Sequence, residues 1–325
     1  MLLLFACIGN VSAKGIKEGD TIKSFNGADI YILNELSGKM KIIGQAQLLK
    51  MECSTGDAFR IGAGVEGDFF LPKFASFHAE FNSCYFNMQK TQAKDLNKSG
   101  NSLGGFSLLE FGGRFHLIDI KARARHKLIL SSSSTYSMGY TVTTEHYIKA
   151  KLPCRKILAA RGGIYRTSAP VSTDMNQQEL AVSNVGAVKT KDGTVLSDVY
   201  FTNDHTTGFY VGLSEIVNMS VRTKNNVSGY SGYRYFTSFF REVYLDALIA
   251  GTTFDPIIAG GVSHEIEPNT SGSFQTSNIG WRLGKKWVFT RKTINMGFCF
   301  EIGNRPGVQG RGAYFGTGFN LAFVK

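Results

Sequence analysis

Apolar and polar residues alternate along most of this chain. Between residues 74 and 88, Phe77, Ala79, Phe81, Ser83 and Tyr85 share one parity, and Ser76, His78, Glu80 and Asn82 share the other. Residues 105–119 set Leu109, Phe111, Gly113, Phe115 and Leu117 against Glu110, Gly112, Arg114 and His116. Residues 292–303 set Ile294, Met296, Phe298, Phe300 and Ile302 against Asn295, Gly297, Cys299 and Glu301. Successive side chains of a strand point to opposite faces, so each stretch predicts a strand with one apolar and one polar face. The same reading gives fourteen strands: 40–53, 57–70, 74–88, 105–119, 126–132, 141–152, 155–167, 194–203, 206–222, 231–249, 255–266, 275–289, 292–303 and 312–324.

The connections carry a second pattern. With the C-terminus taken as periplasmic, short turns fall at 71–73, 120–125, Pro153-Cys154, 204–205, 250–254 and 290–291. The opposite side receives 54–56, 89–104, 133–140, 168–193, 223–230, 267–274 and 304–311, most of them longer and polar or Gly-rich. Strands between lipid and a wet lumen alternate in this way, with short turns on one side and long loops on the other. The prediction is an all-β chain: a transmembrane antiparallel up-and-down β-barrel of about 14 strands, spanning 40–325. The alternative is a secreted soluble β-protein.

Residues 1–13, MLLLFACIGNVSA, place small residues at Val11-Ser12-Ala13 and read as a signal peptide with a misassigned start. A buried N-terminal strand, or a lipobox ending at Cys7, are the alternatives. Residues 14–39 read as an N-terminal periplasmic or plug segment.

Composition adjusts this picture little. Hydrophobic residues make up 43%, and no run of eighteen apolar residues follows the leader. A barrel strand shows lipid only every second residue, so bland hydropathy fits it. The 37 Gly, 25 Phe and 13 Tyr against 6 Pro suit bending strands with interfacial rings. The net charge of +11 is scattered. Its densest run, Lys121, Arg123, Arg125, His126 and Lys127, reads as a solvated turn or as a phosphate-binding patch. No nucleic-acid partner is predicted. The five cysteines stand at irregular spacing and indicate neither a zinc site nor a disulfide framework, although one bridge could form after export.

Charge can survive on the inward faces, which makes His78, Glu80, Glu110, Arg114, His116, Arg161, Arg282 and Glu301 lumen-lining candidates. They would line a selective channel or hold a closed lumen with ion pairs. Two residues break the parity. Glu215 and Arg241 fall among outward residues of neighbouring strands, as a cross-strand ion pair marking a protein-facing patch or beside a bulge that turns one inward. Tyr230, Tyr233, Tyr235, Phe236, Trp287, Phe289 and Tyr314 suit aromatic girdles, with sugar stacking as the alternative.

No catalytic constellation emerges. Ser263 and His264 are strand neighbours and point apart. GxSxG, HExxH and a P-loop are absent from the sequence. The chain is read as no enzyme, with no metal and no cofactor.

The final segment, Tyr314-Phe315-Gly316-Thr317-Gly318-Phe319-Asn320-Leu321-Ala322-Phe323-Val324-Lys325, resembles the C-terminal strand of bacterial outer-membrane β-barrel proteins, with Phe323 in place of a terminal aromatic. Trp281-Arg282-Leu283-Gly284-Lys285-Lys286-Trp287 resembles the Gly-and-Arg strands of barrels of the Bacteroidetes type. The resemblance implies location in the outer membrane of a Gram-negative bacterium, outer-membrane lipid as surroundings, and recognition by the barrel assembly machinery. The function it leaves in first place is a channel or transporter for a small solute. The alternative is a non-catalytic structural or accessory barrel with an envelope protein partner, and a lipid-modifying enzyme ranks below both.

Overall fold

A computed structural model describes residues 21–25, 28–31, 41–54, 58–71, 74–87, 104–137, 140–172, 188–196, 200–225, 234–266, 276–291, 294–308 and 313–324. The leader 1–13, Tyr230, Tyr233 and the greater part of the long loops lie outside them.

Ten antiparallel strands close into a barrel. They are β1 (Lys41–Ser54), β2 (Ala58–Phe70), β3 (Ala75–Asn87), β4 (Ser107–Ser137), β5 (Tyr140–Ser172), β6 (Phe201–Asn225), β7 (Arg234–Phe254), β8 (Ile279–Arg291), β9 (Ile294–Asn304) and β10 (Ala313–Val324). Each pairs with its neighbours in sequence, and β10 pairs with β1 to close the ring. All ten pairings are antiparallel, as an up-and-down barrel requires.

Both barrel ends of the chain, Lys41 and Val324, lie at one mouth, here called the terminal end. Connections there are 71–74, 138–139, 226–233 and 292–293; those at the opposite loop end are 55–57, 88–106, 173–200, 255–278 and 305–312. Within the loops, Ile257–Ala259 and Val262–His264 make a hairpin over Gly260 and Gly261, with φ of 58° and 83°. Positive φ at both turn residues is what a two-residue hairpin with native twist needs. This pair therefore turns the chain rather than curving a barrel strand.

Fourteen predicted segments thus become ten strands. The predicted turn at 120–125 is part of β4, because Lys121-Ala122-Arg123-Ala124 keeps the period of two through the charges. The predicted turn at Pro153-Cys154 is part of β5. Pro153 lacks an N–H, and it sits where β5 has no partner on its second edge, since pairing with β6 starts at Arg155. The predicted turn at 204–205 is inside β6. Segments 194–203 and 255–266 contribute short loop pairings in place of full barrel strands.

The β4–β5 hairpin outruns the wall. β3 pairs with β4 only up to Phe115, and β6 pairs with β5 only from Arg155 onward. Beyond those points the two strands continue as a ribbon to Ser137 and Tyr140 on the terminal end. Thr21–Phe25 and Ala28–Tyr31 form a separate hairpin, and its second strand pairs with the end of β6 at Arg222–Asn225.

The polarity of the wall is inverted relative to a water-soluble fold. Phe77 is 54% exposed, Phe115 59% and Ile164 62%. On the other face, Glu242 is 0% exposed, Asp246 1% and Arg114 2%. The phenylalanine sides of β3 and β9 do not meet in a dry interior.

Candidate functional site: the barrel interior

Period-two alternation places Glu66 and Asp68 of β2, His78 and Glu80 of β3, Glu110 and Arg114 of β4, and Arg161 of β5 on the inner face. Glu242, Tyr244 and Asp246 of β7, and Arg282 and Lys286 of β8, join them there. Their charged ends meet across the lumen. Arg282 donates Nη1 to Glu110 Oε2 at 2.6 Å and Nη2 to Glu110 Oε1 at 2.9 Å, a bidentate pair between β8 and β4. Its Nε donates to Asp246 Oδ2 at 2.8 Å. Arg114 grips Glu242 through Nε and Nη2, both at 2.7 Å, and donates Nη1 to Asp68 at 2.6 Å. Arg161 donates to Glu242 at 2.9 Å, and its Nε lies 3.1 Å from Asp246 Oδ1, an ionic contact off the hydrogen-bond line. Lys286 reaches Glu66 at 2.7 Å, and Lys50 reaches Glu80 at 2.8 Å.

Two tyrosines stack the cations. The Arg161 guanidinium lies 4.0 Å from the Tyr244 ring centre, and that of Arg282 lies 4.6 Å from Tyr210. Such stacking suits a planar, weakly hydrated guanidinium. Glycines make room for the rings. A Cβ on Gly284 would stand 2.1 Å from Tyr244 Cζ, and one on Gly112 would stand 2.0 Å from the Tyr210 hydroxyl.

Apolar layers lie above and below the charges. At the terminal end Ile43, Phe70, Ile157, Ile216, Phe240 and Val288 fill the interior, with Phe70 and Phe240 edge to face at 5.8 Å. Toward the loop end Phe106, Leu108, Tyr165, Tyr210 and Leu248 form a second cluster, capped by Val171, Leu196, Ile257, Ile266 and Val308. At the loop-end rim Arg305 donates both Nη atoms to Glu52, at 2.7 and 2.9 Å.

All eight lumen candidates face inward or sit at its rim. His78 Nδ1 lies 3.0 Å from Asp68 Oδ1. His116 approaches Ser76 at 3.5 Å. Glu301 accepts hydrogen bonds from the hydroxyls of Tyr244 and Tyr314. Tyr314 therefore points inward and is no girdle residue, because it shares parity with Asn320 and not with Phe315. Glu66, Asp68 and His78 offer donor atoms within 4.8 Å of one another, a metal-like set. Lys286 and Arg114 already neutralise its two carboxylates, so the geometry is that of an ion-pair cluster.

Sequence reasoning left out Glu66, Asp68, Glu242, Asp246 and Lys286, although parity alone assigns each to the inner face. Arg305 had no such signal, since it lies one residue past β9.

On the outer face, Arg241 Nη2 donates to Glu215 Oε1 at 2.8 Å. Glu215 stands opposite Val243 and Arg241 opposite Val217, so the pair is diagonal and no bulge intervenes. Lys156 approaches the second Glu215 oxygen at 3.3 Å. Lys285 lies over the Trp287 ring at 4.6 Å on the same face.

Two histidine–aspartate contacts sit at the loop end, His205–Asp255 at 3.0 Å and His264–Asp192 at 3.4 Å.

No family model matches the chain, and no curated protein matches it. Among solved structures it is similar to OmpT, an outer membrane protein of Vibrio cholerae in its trimer form, at 8% identity over 88% of this chain and 100% of that one, with a TM-score of 0.18. It is also similar to an anion-selective porin from Comamonas acidovorans, at 8% identity over 88% of this chain and 99% of that one, with a TM-score of 0.16.

Proposed function

We propose that the chain is an integral outer-membrane barrel of a Gram-negative bacterium with a closed interior, acting as a non-catalytic scaffold for another envelope component. The observation that carries this reading is the inverted polarity of the wall. Large apolar side chains stand exposed outside while charges are sealed inside. In water such a belt would drive aggregation; in a bilayer it is the required lipid contact. The leader-like 1–13 and the aromatic strand β10 support export and handling by the barrel assembly machinery. The Gly-and-Arg pattern of 281–287 supports placement with barrels of the Bacteroidetes type.

Between a solute channel and a scaffold, the ion pairs favour the scaffold. Arg282–Glu110, Arg114–Glu242 and Lys286–Glu66 bridge strands on different sides of the ring, and apolar layers flank them. Cations and anions alternate there, whereas an ion-selective lining uses rings of one sign. The Lys156–Glu215–Arg241 cluster, on a mainly apolar face, is the patch assigned to an envelope protein partner. Bilayer recording tests the reading: the purified full chain inserts, migrates heat-modifiably in detergent gels, and gives no stable unitary conductance. Regular porin-like steps would overturn the closed scaffold, and recovery as a soluble protein would overturn the membrane assignment.

A further inference from the structure

Two adjacent rows of outward positions cross β5 to β8. One runs Lys156, Val217, Arg241 and Trp287, and the next, toward the loop end, runs Leu158, Glu215, Val243 and Lys285. Three cations thus stand with one carboxylate. Among the described residues of the wall from β5 to β8, Glu215 is the single outward acid.

The pairing is lopsided. Glu215 is already divided between Arg241 at 2.8 Å and Lys156 at 3.3 Å. Arg241 Nε is enclosed with no acceptor among the described residues. Lys285 has the Trp287 ring at 4.6 Å and, among the described residues, no carboxylate. Arg241 keeps 36% of its side chain open, so the chain itself leaves the cluster uncovered. Charge on a lipid-facing wall is costly, and intramembrane cations pair with whatever anion reaches them.

Depth decides which anion that is. Lys285 is the central residue of β8, with six residues to Ile279 and six to Arg291. At roughly 3.3 Å per residue and a tilt of about 40°, each arm gains ~15 Å of height, half of a hydrocarbon core about 30 Å thick. The headgroup phosphates of both leaflets lie beyond those arms, whereas the Lys285 ammonium stops at the Trp287 ring, two residues on. A soluble periplasmic domain does not enter at this height. A membrane-spanning segment does, and an acidic residue on it would face the cations.

We propose, on the scaffold reading above, that the partner is itself an integral membrane protein whose spanning segment sets an acidic side chain against Lys285 and Arg241 near the bilayer midplane. Its carboxylate completes the count of charges that Glu215 leaves short, and its apolar surface continues the belt.

Trp287 reports on the site. The full chain, with Trp281→Phe so that Trp287 is the one indole, is inserted into phosphatidylcholine vesicles. The probe is a spanning leucine–alanine peptide with a terminal dabcyl quencher and one central glutamate, compared with the same peptide carrying glutamine. The glutamate peptide is expected to half-quench Trp287 at about a tenfold lower mole fraction. The ratio between the two peptides is read within each variant: K285Q/R241Q brings it to one, and K285R keeps it. Equal half-quenching of the inserted chain by the two peptides overturns this proposal and leaves the scaffold reading standing. A glutamate preference that survives K285Q/R241Q also overturns it. So does quenching by brominated phosphatidylglycerol over brominated phosphatidylcholine without a glutamate preference, which would give the cluster to a lipid headgroup. Porin-like conductance would remove the closed scaffold without touching the peptide ratio, and recovery as a soluble protein would overturn both.

Discussion

Arg282 on β8 and Glu110 on β4 hold each other through two parallel hydrogen bonds across the interior of the barrel. Three strands lie between them on the shorter way round the ring and five on the longer, so this contact ties opposite walls together. Each member is nearly free of solvent. A buried pair like this is weak evidence for net stability, because desolvation offsets much of the attraction. Breaking it is another matter.

Removing one partner leaves an uncompensated charge in a dry interior. Arg282→Gln is expected to cost about 3–5 kcal/mol. The double variant R282Q/E110Q should cost less than the sum of its singles, since neither charge is left alone. Urea unfolding in detergent, followed by the shift between folded and heat-denatured gel bands, measures both. Strict additivity would show that the pair does not couple.

The outer belt makes the reverse prediction. Phe111→Lys places a charge on the face assigned to lipid and is expected to cost about 2–4 kcal/mol if it sits near the midplane. Val195→Lys, exposed in a loop, is the control and should be close to neutral. Folding equilibria into lipid vesicles give the comparison. Equal costs for the two would remove the belt from the bilayer.

Gly284 is a packing requirement. Its missing side chain is where the Tyr244 ring lies. Gly284→Val should lower the melting temperature of the folded band strongly or abolish folding, and adding Tyr244→Ala should recover part of the loss. Unchanged melting of the single variant would show that the ring does not occupy that space.

Asp192, outside the wall, carries a pH prediction. A hydrogen bond from the Thr190 hydroxyl, then one from the Thr194 amide, hold its carboxyl down at about 2. An unperturbed aspartate titrates near ~3.9. A depressed carboxyl stabilises its turn above the unfolded value, and the contribution disappears as pH falls through the folded value. The Thr190–Thr194 turn should therefore stay ordered at pH 4 and loosen toward 2. A carboxyl resonance for Asp192 that titrates near the ordinary value would contradict this.

Much of the barrel was legible beforehand because lipid and lumen impose opposite polarities on adjacent residues. Strands such as β3 and β9 stand where the alternation put them. The reading failed where charge was taken as punctuation. Lys121-Ala122-Arg123 kept the strand period, yet its positive charge suggested a turn, and Pro153 did the same on the partner strand. It failed again at Gly260-Gly261, which alternation cannot tell from a curved strand. The candidate lumen residues were found by parity, but their partners were not, because Glu110 and Arg282 are 172 positions apart.

The sequence by itself determined which residues face inward and that the chain is a closed up-and-down sheet, because polarity with a period of two is a local property. Only the tertiary structure decided that ten strands close the ring, that Arg282 finds Glu110 and Arg114 finds Glu242, and that the interior is filled. Those depend on register and barrel circumference, which are set by the sum of all strand pairings and are written in no single stretch of chain.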